Sequence, residues 1–414
     1  MSLFGGIISI SGITFLMFSI FAIIVIGFAL GRITIKGVSL GDAGVFIVAL
    51  IYGCLFYDQI KSALLGYDTN ALKIVENIGL ILFVTSVGFV AGPKFFGNLK
   101  RNFKSYVMMG LVIILAGGLS ALLCVFIGNQ IDGGLQGKEL ISMVVGLLSG
   151  SLTSTPAFSA AKQTVASLEN AEVLESLVTV GHGISYIFGV IGVVLFVQIV
   201  PKVMKADMDT ERALLTKGEE ETKKAPVLNL LHLDHLGFAA FGLAATLGAF
   251  VGNVKIPLSS AGLSGTTFSL TVTGGCLLMG LLFGHFGRIG KLSIMPEAKT
   301  LSIFKELGLI LFLVGAGIAG GAKFVQYFEV IYFGYGIIMT ILPMIIGFLF
   351  AKYVLKLSLL NNLGSLTGGM TSTPALGTLI STAGTEDVAA AYAATYPIAL
   401  IAVVLVSQFL IILF

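Results

Sequence analysis

"GLLSGSLTSTPAFSAAK" (Gly146–Lys162) contains the pentapeptide TSTPA, and "GSLTGGMTSTPALGTL" (Gly364–Leu379) contains it again, 218 residues further on. Both copies interrupt long apolar runs. A proline inside a helix removes a backbone hydrogen bond and clashes with the preceding turn, at a cost of about 3 kcal/mol. At membrane depth such a break persists only where protein or a water-filled cavity satisfies the freed backbone groups. Glycines precede each break and three hydroxyls surround it. A helix restarting at Pro156 or Pro374 has proline at its favoured first position and Ser or Thr as N-cap. Its free N–H groups and positive dipole end then form an anion-receptive tip.

The surroundings are those of an integral membrane protein. The chain has 414 residues, 56% hydrophobic and 11% charged, with a mean hydropathy of +1.02. A soluble domain carries roughly 25% charged residues. Apolar runs of about 20 residues, the length that crosses the hydrocarbon as a helix, recur throughout. "GLVIILAGGLSALLCVFIG" (Gly110–Gly128) has none of the polar–apolar alternation of a barrel strand. The formal charge of +3 is spread over loops without a basic block, which argues against nucleic acid as a partner. Cys54, Cys124 and Cys276 each stand alone in an apolar run, fit no metal or disulfide spacing, and read as small buried hydrophobes. The N-terminal stretch lacks a basic segment and a small-residue cleavage site, and reads as the first span.

TSTPA is part of a longer duplication. "GFALGRITI" (27–35) matches "GAFVGNVKI" (248–256), and "IGLILFVTSVGFVAGPKF" (78–95) matches "LGLILFLVGAGIAGGAKF" (307–324). "SYIFGVIGVVLFVQ" (185–198) matches "TYPIALIAVVLVSQ" (395–408). Gly88 thereby corresponds to Gly317, and Tyr186 to Tyr396. In the first repeat (1–200) the expected spans are 8–30, 41–57, 73–92, 105–128 and 178–200. In the second (237–414) they are 237–252, 269–285, 304–321, 330–351 and 390–413. Between them, 201–236 reads as a charged, solvated cytoplasmic linker that cannot bury a core of its own.

The TSTP segments, 139–166 and 360–383, either cross the bilayer or dip in and return. If they return and the N-terminus is outside, seventeen basic residues fall inside and six outside, the direction of the positive-inside bias. The six are Lys61, Lys73, Lys138, Lys162, Lys255 and Lys323. The expected fold is an all-α polytopic membrane protein of two inverted repeats of about five transmembrane helices, each with a re-entrant or broken TSTP segment.

Inverted repeats bring both tips near the midplane, where secondary transporters bind substrate. The candidate substrate-binding residues are Gly150, Thr153, Ser154, Thr155 and Pro156, their counterparts Gly368, Thr371, Ser372, Thr373 and Pro374, and the pairs Tyr186 and Tyr396, Gly88 and Gly317. The spans contain no arginine, so a carboxylate must be held by amides, hydroxyls and helix dipoles, which suits a small anion or zwitterion. The same oxygens could instead coordinate Na⁺. No cofactor and no metal-ligand set is expected otherwise.

Ionisable residues inside spans are functional candidates. Glu76 and Asn77 align with Lys305 and Glu306, and stand as charge or coupling candidates or as interfacial residues. Asp42 reads as a helix cap, and His182 as a packing histidine or a proton sensor. His232, His235 and His285 show no ligand spacing. "GAGIAG" (Gly315–Gly320) matches a dinucleotide fingerprint but lies inside a span, where close helix packing or an unwound span facing the site is the better reading. No HExxH, aspartate-rich or paired intramembrane aspartate motif supports an enzyme. A channel is the remaining rival to a transporter.

"GLLSGSLTSTPAFSAAK", "LTGGMTSTPALGTL", "AAYAATYPIAL" and the glycine-rich third spans resemble the aspartate:alanine exchanger family of bacterial secondary transporters. The resemblance covers both membrane halves. It implies exchange of small carboxylates such as aspartate, alanine or succinate in a bacterial inner membrane, a homodimer, and an elevator-like motion of the part that holds the two hairpins. Na⁺-coupled symport of a dicarboxylate or acidic amino acid is the alternative. Members of the family usually carry soluble regulatory domains between the halves, where this sequence has only the short linker.

Overall fold

The computed structural model describes residues 2–3, 8–9, 12–35, 38–39, 41–64, 71–101, 103–131, 134–215, 231, 233–258, 262, 267–385 and 387–414. Residues 216–230 of the expected linker, and His232, lie outside the described residues. The first half forms α1 (Gly12–Gly31), α2 (Ala43–Ala63), α3 (Ala71–Arg101), α4 (Met108–Gly128), α5 (Gly137–Ser151), α6 (Thr155–Val165) and α7 (Ala171–Val203). A short α8 (Met208–Leu215) follows. The second half forms α9 (Phe238–Gly252), α10 (Thr271–Phe286), α11 (Ala298–Tyr327), α12 (Val330–Tyr353), α13 (Leu359–Gly369), α14 (Thr373–Ala383) and α15 (Val388–Leu413). All ten expected spans are helices, and each TSTP segment is a pair of helices around a three-residue break.

Eight of these helices are long and apolar enough to cross a membrane, whereas α9 and α10 have 15 and 16 residues. Phe21, Val25, Leu119, Phe126 and Val325 are exposed on outward faces, as expected of a surface solvated by lipid. The protein is a multi-pass membrane protein.

The halves engage each other reciprocally. α3 packs along α10 as α11 packs along α2, α5 along α7 as α13 along α15, and α6 against α15 as α14 against α7. Equivalent residues meet at the centre of this arrangement. A Cβ on Gly79 would lie 2.7 Å from the Gly308 carbonyl oxygen, and one on Gly308 would lie 2.6 Å from that of Gly79. Only glycine allows two backbones so close. The densest contacts divide the helices into two bodies: α1–α3 with α9–α11, and α4–α7 with α12–α15.

Contacts along the chain fix helix direction. Gly146 faces Val178 and Gly150 faces Ser185, so α5 and α7 run the same way. Along α6 the order reverses: Phe158 stacks on His182, while Lys162 and Ala166 line a cavity with Thr179 and Ser176. In the second half Gly364 faces Val388 and Gly368 faces Tyr392, so α13 and α15 also run together.

The linker is not solvated throughout, which corrects the sequence expectation for 208–215. The Leu359 amide at the start of α13 donates to the Glu211 carboxylate (2.9 Å), and Arg212 donates to the Ala383 carbonyl oxygen at the end of α14 (2.8 Å). Leu215 joins an apolar cluster with Leu359, Leu360, Leu363 and Leu379. The segment buries its own apolar residue by borrowing the base of the second TSTP hairpin.

Candidate functional site

Thr153 and Thr371 both have φ of 50°, in the left-handed region. That conformation is unusual for a β-branched residue and costs on the order of 1–3 kcal/mol. The reason is the way α5 and α13 end. The Ser154 amide donates to Ser149 O (2.8 Å) and the Thr153 amide to Gly150 O (2.8 Å). The Ser372 amide donates to Thr367 O (3.1 Å) and the Thr371 amide to Gly368 O (3.1 Å). These are two Schellman ends in which threonine occupies the place that usually holds glycine.

The hydroxyl explains the choice. Thr153 Oγ1 donates to Met370 O across the molecule (3.2 Å), and Thr371 Oγ1 donates to Leu152 O (2.6 Å). A terminal helix carbonyl has no partner in its own helix. Here each break satisfies one belonging to the other.

After the breaks, α6 begins at Thr155 with Ser154 as N-cap, and α14 at Thr373 with Ser372 as N-cap. Pro156 and Pro374 therefore take the second helical position, one later than the sequence reading. The two tips differ. Ser154 Oγ accepts the Ala157 amide (3.3 Å), whereas Ser372 Oγ is buried and has no hydrogen-bond partner among the described residues. Thr155 and Pro156 are buried, while Thr373 is exposed and Pro374 half-buried. Thr373 Oγ1 lies 3.3 Å from Tyr392 Oη, whose ring stacks on Tyr396 at 5.2 Å. One face of α14, carrying Thr373, Gly377 and Ser381, is open.

The structure thus gathers both TSTP segments, with Gly150 packed against α7 and Gly368 against Tyr392 on α15. Tyr186 packs against His182 (5.1 Å) and Tyr396 against Tyr392. Gly88 and Gly317 lie instead in helix contacts, against Gly280 on α10 and Ala49 on α2. α11 is continuous through "GAGIAG", whose glycines face Glu76, Ala49 and Thr179, so close packing is the reading that holds there.

Glu76 is buried and accepts a 2.5 Å hydrogen bond from Lys162 on α6, also buried. Its neighbour Asn77 and the aligned Lys305 and Glu306 are exposed. Asp42 stands at the N-cap of α2 but its carboxylate caps nothing. Burial and then the Glu306 charge push its carboxyl above the usual range, against the pull of Lys305. His182 pairs through Nδ1 with Ser149 Oγ (2.9 Å) and stacks on Phe158 at 4.1 Å. Cys124 and Cys276 are buried, but Cys54 is exposed on α2, against expectation. Sequence reasoning missed two groups at the site. Tyr392 was signalled only by its spacing, one helical turn before Tyr396. Lys162 was counted as an outer basic residue rather than as the partner of Glu76.

Comparison with known proteins gives these features a context. The model of a family described as a predicted permease membrane region matches residues 19–202 and 240–412. The chain is similar to an uncharacterized transporter of Bacteroides fragilis, 26% identical over 94% of this chain and 97% of that protein. It is similar to an uncharacterized transporter of Bacteroides thetaiotaomicron, 25% identical over the same shares. A putative transport protein of Edwardsiella ictaluri is 23% identical over 94% of this chain and 97% of its own. The Bacteroides fragilis alignment runs over 548 positions, so at least 134 of them have no counterpart in the 414 residues here.

Proposed function

The chain belongs to the aspartate:alanine exchanger family of membrane permeases, and on that premise we propose that it exchanges small carboxylates or amino acids by alternating access. The substrate class is aspartate, alanine and succinate, and the membrane that of a bacterial cell. The observation that carries this reading is the crossing of two hydroxyl-rich helix breaks, each tied to the other through Thr153 and Thr371. The seat is the second tip, with Ser372 Oγ, Thr373, Tyr392 and Tyr396 around the N-terminus of α14. An unpaired buried hydroxyl beside a helix N-terminus suits one carboxylate.

The direction of α5, α6 and α7 supports re-entrant hairpins: α6 runs back along α7, so the chain leaves on the side from which α5 entered. With the shorter α9 and α10 counted as crossings, each half crosses five times, and an odd number turns the second copy upside down. The reciprocal contacts of the halves support such an inverted repeat. The two bodies supply the parts for an elevator-like motion of α4–α7 and α12–α15 against the rest. The homodimer rests on the family resemblance alone. Na⁺-coupled symport would use the same hydroxyl and carbonyl oxygens.

The test is uptake of labelled aspartate into proteoliposomes loaded with aspartate, alanine, succinate or nothing, with and without a sodium gradient. Uptake only against an internal counter-substrate supports exchange. Uptake into empty vesicles driven by sodium replaces exchange with symport.

A further inference from the structure

A cavity of about 580 Å³ lies where α2, α6, α7 and α11 end or begin and α3 starts. Its volume is in the range of small-molecule sites. Four of the six lysines assigned to the outer side by charge counting, Lys61, Lys73, Lys162 and Lys323, line it together with Glu172 and Glu175. They come from four different helices and converge without any sequence proximity.

Among the described residues, three ion pairs lie at or beside the cavity, and each joins one body to the other. Lys73 of α3 pairs with Glu175 of α7 at 3.1 Å, and Lys162 of α6 with Glu76 of α3 at 2.5 Å. Lys323 of α11 pairs with Glu172 of α7 at 4.0 Å. The pairs are not equal. Glu76 and Lys162 are buried, whereas the Glu172 side chain is 86% exposed and its contact is the loosest of the three. Lys61 has no ion pair among the described residues. Lys61 and Lys323 are therefore the two cations that an incoming ligand can engage at least cost, because exposed pairs contribute little.

We propose that this cavity is a second, outer binding site, a vestibule in which a dicarboxylate docks with one carboxylate on Lys61 and the other on Lys323. The second contact displaces Glu172. The ligand class rests on the exchange reading above, while the site itself rests on the cavity and its lysines. Displacing Glu172 removes the weakest of the three ion pairs beside the cavity, so docking on this side gives up one tie across the seam that the hairpin-bearing body must slide along, while hydrogen bonds such as Ser159 to Thr273 remain. Lys162–Glu76 and Lys73–Glu175 hold until the substrate moves inward.

The experiment uses the full chain purified in detergent, with succinate and propionate as probes for titration calorimetry. It is run in a Ser372→Ala background, in which the central seat is weakened at least about tenfold, so that the lysine dependence identifies the vestibule. Succinate is expected to bind, and Lys61→Gln and Lys323→Gln each to weaken it about tenfold, the scale of one lost charge-assisted contact. Propionate, with a single carboxylate, is expected to bind at least about tenfold more weakly than succinate. In proteoliposomes of known orientation, Lys61→Gln raises KM for outside succinate with kcat unchanged. Succinate binding that ignores both lysines, or equals that of propionate, overturns the vestibule even if exchange stands. Lysine-dependent binding by a protein that exchanges nothing upholds the vestibule and sinks the transport reading instead. Lys61 is exposed, so its substitution does not endanger folding.

Discussion

Thr153 donates its hydroxyl to the Met370 carbonyl oxygen, and Thr371 donates its own to the Leu152 carbonyl oxygen, so each helix break completes the other. The pair accounts for threonine in a conformation that favours glycine: strain is accepted because the hydroxyl reaches a carbonyl that no helix satisfies. Valine has the same shape and the same strain without the hydroxyl. Thr153→Val and Thr371→Val are each expected to destabilise the protein by about 1–3 kcal/mol, the cost of a buried unpaired acceptor. Thermal melting in detergent reads the effect, and a melting point equal to wild type in both would refute the reciprocal bond.

The two N-cap serines separate structure from binding. Ser154 caps α6, so Ser154→Ala is expected to cost about 1 kcal/mol of stability. Ser372 caps nothing, and Ser372→Ala, which removes a buried hydroxyl that makes no hydrogen bond, is expected to lower stability by less than about 0.5 kcal/mol. Equal losses in both variants would show that the tips are equivalent in solution.

Repetition made the breaks legible in the sequence. TSTPA recurs with its glycines, and the fold brings the two copies into contact. Repetition gives position, however, and not environment. Glu76 aligns with Lys305, yet the first is buried against Lys162 and the second is exposed. Gly88 and Gly317 align, yet one packs against Gly280 on α10 and the other against Ala49 on α2. The outer lysines stand 262 residues apart at the extremes, so only folding reveals that they share a cavity. α8 escaped notice because its one buried residue, Leu215, needs a partner surface from the other half of the chain.

Lys162 and Glu76 form a buried pair, with side chains 7% and 12% exposed. Removing one partner leaves an uncompensated charge, so Lys162→Met is expected to destabilise by about 3–5 kcal/mol. The double substitution Lys162→Met with Glu76→Leu is expected to recover most of that loss. Chemical denaturation of the four-member cycle measures the coupling, and additive losses would contradict the pairing.

α8 holds both ends of the second hairpin through Glu211 and Arg212. Arg212→Ala and Glu211→Ala are expected to speed hydrogen exchange in the last turn of α14 and the first turn of α13, respectively, because each amide ladder loses its terminal tie. Mass-spectrometric exchange on peptides covering 359–385 checks this. Unchanged protection would mean that α8 merely rests on the hairpin.

The most direct test of the account is counterflow by Ser372→Ala beside wild type, at matched amounts of folded protein in the same liposomes. Wild type is expected to accumulate labelled aspartate only when a carboxylate or alanine is inside. Ser372→Ala, with an unchanged melting temperature, is expected to fall at least about tenfold, as the loss of one hydrogen bond to a charged ligand implies. Wild-type counterflow in Ser372→Ala would contradict the claim that the second TSTP break is where substrate sits.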